Sequence, residues 1–267
     1  MISTSGVLAG EQLRQYEKNG FLFLNDLLAE LDLSGVYHDI QLLAGIRDES
    51  TVVEVGSGAI RAMHGSHLIS EACDRLSKNE KLLAYARSIL KTDVYLYQFK
   101  INMKAPFVGA VWPWHQDFIF WHHEDGMEEP NAINVVVFLD QVTEFNGPMY
   151  LIPQSHASGL IEPISIASQS TEEEGSDWKK DVSADLKYQI PQHMVFELAE
   201  AGGIVAPKGG PGSVIFFHSN LVHGSAPNIS PYARRIVILT YNSTSNVPPQ
   251  TGRRRPGFLV NATATPL

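Results

Sequence analysis

The chain of 267 residues is 44% hydrophobic and 18% charged, which excludes a globally disordered polymer and leaves ample apolar material for a sizeable core. Twenty Lys and Arg against 29 Asp and Glu give a net charge of −9, unsuited to neutralising nucleic acid or anionic lipid, so a small-molecule partner is expected, with neither nucleic acid nor membrane. Cys73 is the single cysteine, the opening residues carry no apolar leader and no run is long enough to span a bilayer, so a reducing cytoplasmic setting is expected.

Residues 10–19 place Leu13 and Tyr16 at helical spacing, and Gly20 closes them off before the apolar run 21–24, so a helix and then a short strand are predicted. A second helix is predicted at about 26–37, and two more between residues 70 and 90, where apolar residues recur three and four apart. Residues 1–92 thus read as mainly helical support. From Val94 the pattern changes to short β-rich runs at 94–102, 132–140, 148–153, 213–218 and 235–241, each bounded by Gly, Pro, Asn or Asp. Helices followed by many such strands predict an α+β fold with a mainly β core at 93–245, closing into a barrel or sandwich, then a tail at 246–267, all in one domain over 1–267. The polar, acidic stretch 159–185 reads either as a solvated surface loop or as a mobile lid over a pocket. Three Asn-x-Ser/Thr matches, at Asn228, Asn242 and Asn261, are expected to go unused without a secretory signal.

Chemistry enters at Trp112-Pro113-Trp114-His115-Gln116-Asp117. In an extended stretch, residues two apart share a face, so His115 and Asp117 project together while Gln116 points away. A third ligand can come from the run Phe216 to Ser225, which holds His218 and His223. Two imidazoles and one carboxylate on one face of an octahedron leave open positions on iron(II) for a co-substrate and oxygen. The bare spacing also arises as a simple hydrogen-bonded His and carboxylate pair, and it does not choose between His218 and His223. His64, His67, His122, His123, His156 and His193 have no such partner pattern and take surface or structural roles by default.

Three blocks in order, HQDFIFWHHEDGM, VFLDQVTEFNGPMYLIPQSH and HGSAPNISPYARR, together with the early EQLRQYEKNGFLFL, resemble the phytanoyl-CoA dioxygenase superfamily of iron(II)/2-oxoglutarate oxygenases. The resemblance implies a double-stranded β-helix, jelly-roll or cupin-like, with the amino-terminal helices packed on it. It implies iron(II) held by His115, Asp117 and the histidine of LVHGSAPN, which selects His223. It also implies a 2-oxoglutarate arginine eleven residues further on, Arg234, whose planar fork suits a carboxylate through two parallel hydrogen bonds. Arg235 points to the opposite face of a strand, where a surface ion pair is expected. Likeness to the ectoine-hydroxylase branch implies that Gln98, Asn102 and Ser225 line the co-substrate pocket; Gln98, Lys100 and Asn102 share a face by the two-residue period. The implied reaction consumes 2-oxoglutarate and O2, with ascorbate in support, and hydroxylates an unactivated C–H bond. Asp117 argues against the halogenating relatives, which lack that carboxylate.

The runs QFKIN, WHQDF, VTEFNGP and HGSAPNISP, with the ending TPL, resemble free L-amino-acid hydroxylases of peptide natural-product pathways, in particular leucine 5-hydroxylases. L-leucine or a similar aliphatic amino acid is therefore the expected substrate, with pipecolate or proline, or another small natural product, as alternatives. Such a substrate needs a cation for its carboxylate and an apolar wall. Arg61 is the expected cation, from a similar Arg-Ala segment in relatives, and Phe120 and Trp121 the expected wall. A non-catalytic, metal-binding cupin-like sensor is the alternative of another class; it has no need of Arg234.

Overall fold

The computed structural model describes residues 10–165, 177–182, 184–249 and 255–267, so the centre of the 159–185 stretch, and the lid reading with it, lies outside the described residues. Helix α1 (Gly10–Asn19) and strand β1 (Phe21–Leu24) fall where the periodicity placed them. Helix α2 (Glu30–Leu43) starts later than the expected 26–37, because Asp26 adopts a positive φ of 52° and Leu28 donates its N–H to Gly212 O instead of opening a helix. Helices α3 (Glu71–Ser77) and α4 (Glu80–Leu90) follow, capped by the side chains of Ser70 and Asn79. The helical third also hides two strands, β2 (Thr51–Val53) and β3 (Ile60–His64).

The strands β4 (Val94–Lys104), β6 (Ala132–Phe138), β10 (Val214–His218) and β12 (Arg234–Ser243) carry near-continuous buried runs rather than clean alternation. Both their faces are covered. Ile133, Val135 and Val137 share one core with Leu33, Leu76 and Leu82 of the helices, whereas Val136 and Phe138 face inward with Ile215, Phe217, Ile236 and Ile238. The strands form an antiparallel seven-stranded sheet in the order β1-β10-β6-β12-β4-β3-β2. A three-stranded sheet, β5 (Trp112–His115), β11 (His223–Ser225) and β7 (Met149–Leu151), in the order β5-β11-β7, supplies Met149 and Leu151 to the inward core. The fold is a double-stranded β-helix with the helices laid on the outer face of its larger sheet, as the resemblance implied. Two further strands, β8 (Ile164–Ser165) and β9 (Tyr188–Gln189), pair at either end of the polar stretch, and helices α5 (Asp117–Asp125) and α6 (Gln192–Gly202) complete the set.

The side-chain amide nitrogens of Asn228, Asn242 and Asn261 all donate to protein acceptors. Among the described residues no helix is long and apolar enough to cross a membrane.

Candidate metal centre and active site

His115 ends β5 and His223 begins β11, and the two are direct cross-strand partners whose rings lie 4.1 Å apart. Each imidazole is locked by its own backbone: the Nδ1–H of His115 donates to Pro113 O at 2.7 Å and that of His223 to Leu221 O at 2.9 Å. A carbonyl can only accept, so in each neutral ring the proton sits on Nδ1 and Nε2 carries the lone pair, the tautomer a metal requires. Asp117 enters from the first position of α5, with Oδ1 3.6 Å from His115 Nε2 and Oδ2 3.7 Å from His223 Nε2. Among the described residues these three form the single cluster able to hold a metal ion, with ligand atoms within 4.8 Å of one another.

The extended stretch expected through Asp117 stops short. Gln116 is still extended, at φ −111° and ψ 137°, but Asp117 already belongs to the helix. The single extended step suffices to put His115 and Asp117 on one side. Gln116 points away and is fully spent there, donating to Gly159 O and Asn220 O and accepting from Ile161 N–H. His218 lies elsewhere, its ring 5.3 Å from that of His156 and its Nδ1 accepting the Asn220 N–H.

The donor set fits a divalent ion. Burial opposes the charge on Asp117, yet Lys100 and the two imidazoles hold its carboxyl below the ordinary carboxylate range. Burial, with His115 beside it, pushes His223 down to about 4, so this ring is neutral at physiological pH. An ionised carboxylate and unprotonated imidazole nitrogens are what coordination needs.

The triad opens into a cleft of about 560 Å³ out to its mouth, between the two sheets. Its lining includes Arg234, Ser225 and Asn102. All three are buried, and Arg234 Nη1, Ser225 Oγ and Asn102 Oδ1 have no hydrogen-bond partner within the protein. Arg234 is steadied by its Nε–H, which donates to Gly147 O at 3.1 Å. Burial and the repulsion of Arg61 push it down to about 9. An unpaired guanidinium in such a place is costly until an anion meets it, and a dicarboxylate co-substrate supplies one. Arg235 is already bidentate to Asp140, at 2.9 and 2.6 Å, on the other face of β12.

Phe120 lines the cleft with Met149, Ile236 and Ile238. Trp121, its helical neighbour, lies outside the lining and packs edge-on against Tyr97, in the core cluster that Phe120 also borders. Gln98 lies outside the lining, in register with Thr240 of β12, and its Oε1 is unpartnered. Arg61 does not reach the cleft either. Its guanidinium is committed to Glu54, Val182 O and Val111 O, and its Cζ sits 3.8 Å over the Trp112 ring. It braces Trp112, which does line the cleft. The cation that sequence reading passed over is Lys100, which opens into the cleft beside the triad. Burial lowers its pKa, and the attraction of Asp117 works against that. The signal was present in QFKIN, where Lys100 alternates with Gln98 and Asn102 on one face.

The model of the phytanoyl-CoA dioxygenase (PhyH) family matches residues 16–236. An L-proline trans-4-hydroxylase from Streptomyces griseoviridis is 39% identical over 266 residues, covering 100% of this chain and 97% of the relative. The crystal structure of EctD from S. alaskensis with 2-oxoglutarate and 5-hydroxyectoine superposes with a TM-score of 0.81 at 28% identity, covering 100% of this chain and 88% of that one. The same protein with bound Fe gives 0.79 at 29% identity, over 98% and 86% of the two chains.

Proposed function

The chain belongs to the phytanoyl-CoA dioxygenase family, and on that premise we propose that it hydroxylates an unactivated C–H bond of a free aliphatic L-amino acid, L-leucine or a close analogue. It is an iron- and 2-oxoglutarate-dependent dioxygenase. Bound iron(II) with 2-oxoglutarate and O2 supplies the oxidising power for C–H hydroxylation, with 2-oxoglutarate leaving as succinate and carbon dioxide. His115, Asp117 and His223 would hold the metal, and Arg234, with Ser225 and Asn102 nearby, the co-substrate. The protein's remaining task is to fix one C–H bond near the metal and keep water out.

The observation that carries the substrate class is Lys100 in a cleft whose apolar lining includes Phe120, Met149, Ile236 and Ile238. With Arg234 given to the co-substrate, Lys100 is the second cation there, suited to a substrate carboxylate, and the apolar wall suits an aliphatic side chain. Placing that carboxylate on Lys100 replaces the expectation for Arg61. L-proline is the second reading, favoured by the full-length similarity to a proline hydroxylase. One or two methylenes shift pocket discrimination by only about 1–3 kcal/mol, so the two belong in one assay. A lone Cys73 and ferrous chemistry suit a reducing cytoplasm.

Purified protein supplied with iron(II), 2-oxoglutarate, ascorbate and O2 is expected to release succinate with L-leucine or L-proline, and to add one oxygen atom to the amino acid. Succinate release that no free L-amino acid stimulates would reject the assignment. Lys100→Met is expected to raise KM for the amino acid about 10- to 100-fold, the loss of one charged hydrogen bond, and to leave the 2-oxoglutarate requirement nearly unchanged. A rise confined to the 2-oxoglutarate requirement would move Lys100 to the co-substrate.

A further inference from the structure

We propose that Asn134, its amide aligned by the Thr240 hydroxyl, is a positioning residue that sets the rotation of the Asp117 carboxylate and so the affinity of the triad for its metal. This role rests on the reading of His115, Asp117 and His223 as the metal ligands.

Asn134 is the one polar residue in the otherwise apolar strand Ala132–Phe138, and it is fully buried. A buried amide is tolerated where both its donor and its acceptor are matched. Here Nδ2 donates to Asp117 Oδ2 at 2.8 Å, and Oδ1 accepts from Thr240 Oγ1 at 2.7 Å. Thr240 is itself fully buried and sits directly opposite Asn134 in the register of β12 and β6. The amide therefore has one orientation: turned over, its oxygen would face the Asp117 carboxylate, like against like. The terminal torsion of an aspartate is broad when left alone. With Oδ2 held by Asn134, the carboxylate plane is set, with Oδ1 on the His115 side. The chain from Thr240 through Asn134 thus carries the rigidity of the seven-stranded sheet to a ligand that stands on a helix outside it.

Partners one step removed from a metal ligand typically change affinity 10- to 100-fold. The test is Co(II) binding to the full-length, chelator-treated protein, by titration calorimetry, at a temperature where circular dichroism shows each variant folded. Thr240→Val is expected to weaken Co(II) binding about 10-fold and Asn134→Leu about 10- to 100-fold. Thr240→Ser, which keeps the hydroxyl, is expected to bind like the parent. The proposal is overturned if Thr240→Val or a folded Asn134→Leu binds Co(II) as tightly as the parent. It is equally overturned if Thr240→Ser is as weak as Thr240→Val, since packing of the methyl rather than the hydrogen bond would then be at work. Should Asn134→Leu fail to fold, the two Thr240 variants decide alone. A parent protein that binds no Co(II) would reject the metal centre itself, whereas a parent that binds alongside an equally tight Thr240→Val rejects this role only.

Discussion

Asp117→Ala and His223→Ala are each expected to weaken iron(II) binding more than about 100-fold, beyond the effect of losing an outer partner, and to cut amino-acid-dependent succinate release to background. The expectation follows from how little else the site offers. Among the described residues no fourth His, Cys, Asp or Glu joins the cluster, so a lost ligand has no substitute. Asp117 also supplies the negative charge that faces Lys100, and removing it leaves that cation uncompensated beside the two imidazole ligands. The folded protein is expected to survive: the cost is the hydrogen bond from Asn134, left unpaired, on the order of 1–3 kcal/mol. His218→Ala serves as the control, since His218 packs with His156 away from the cleft and is expected to leave iron affinity unchanged. Metal-dependent turnover retained by Asp117→Ala, or lost by His218→Ala, would mean that the iron is misplaced.

The parts of this molecule legible in the sequence are those whose cause is local. The runs that became β4, β6, β10 and β12 are apolar and end at turn formers, so their existence needed no tertiary knowledge. Strands β2 and β3 were hidden because they are short and because Arg61 and His64 interrupt the apolar pattern of β3, although both are buried in the fold. The same holds at the site. His115 and Asp117 were readable from one extended step, but the choice of His223 came from the wording of a block, and its physical reason is a cross-strand pairing with His115 over a hundred residues away.

Arg61 shows where residue type misleads. It is a buried cation, as a carboxylate anchor should be, but its partners are Glu54 across the β2 and β3 turn and carbonyls from two distant segments, which no local pattern encodes. Phe120 and Trp121 were expected as equals after an extended strand. Once the chain turns helical at Asp117, neighbouring side chains diverge, and only one of the two meets the cleft. Asn134 was passed over for the opposite reason. It reads as an anomaly in an apolar run, and its meaning appears only when β12 brings Thr240 to one end of the amide and α5 brings Asp117 to the other.

Arg234→Met is expected to raise the half-saturating 2-oxoglutarate concentration roughly 30- to 3,000-fold, the 2–5 kcal/mol typical of truncating one partner of a buried, hydrogen-bonded charge pair. Arg234→Lys should recover only part of this, because an ammonium keeps the charge but loses the fork that pairs with both carboxylate oxygens. Arg235→Ala, one residue along, is expected to leave the 2-oxoglutarate requirement alone and to cost about 1–3 kcal/mol of stability through its mostly buried, bidentate pair with Asp140. Initial rates of succinate formation and urea midpoints of the metal-free protein measure both quantities. They also expose a trade built into the fold. Without co-substrate, Arg234 buries a guanidinium whose Nη1 has no acceptor, 2% exposed and repelled by Arg61. A methionine of similar volume removes that penalty, so the metal-free Arg234→Met protein should be at least as stable as the parent while failing to saturate with 2-oxoglutarate. If instead Arg235→Ala moved the 2-oxoglutarate requirement and Arg234→Met did not, the co-substrate would lie on the outer face of β12, which the bidentate hold of Asp140 on Arg235 argues against.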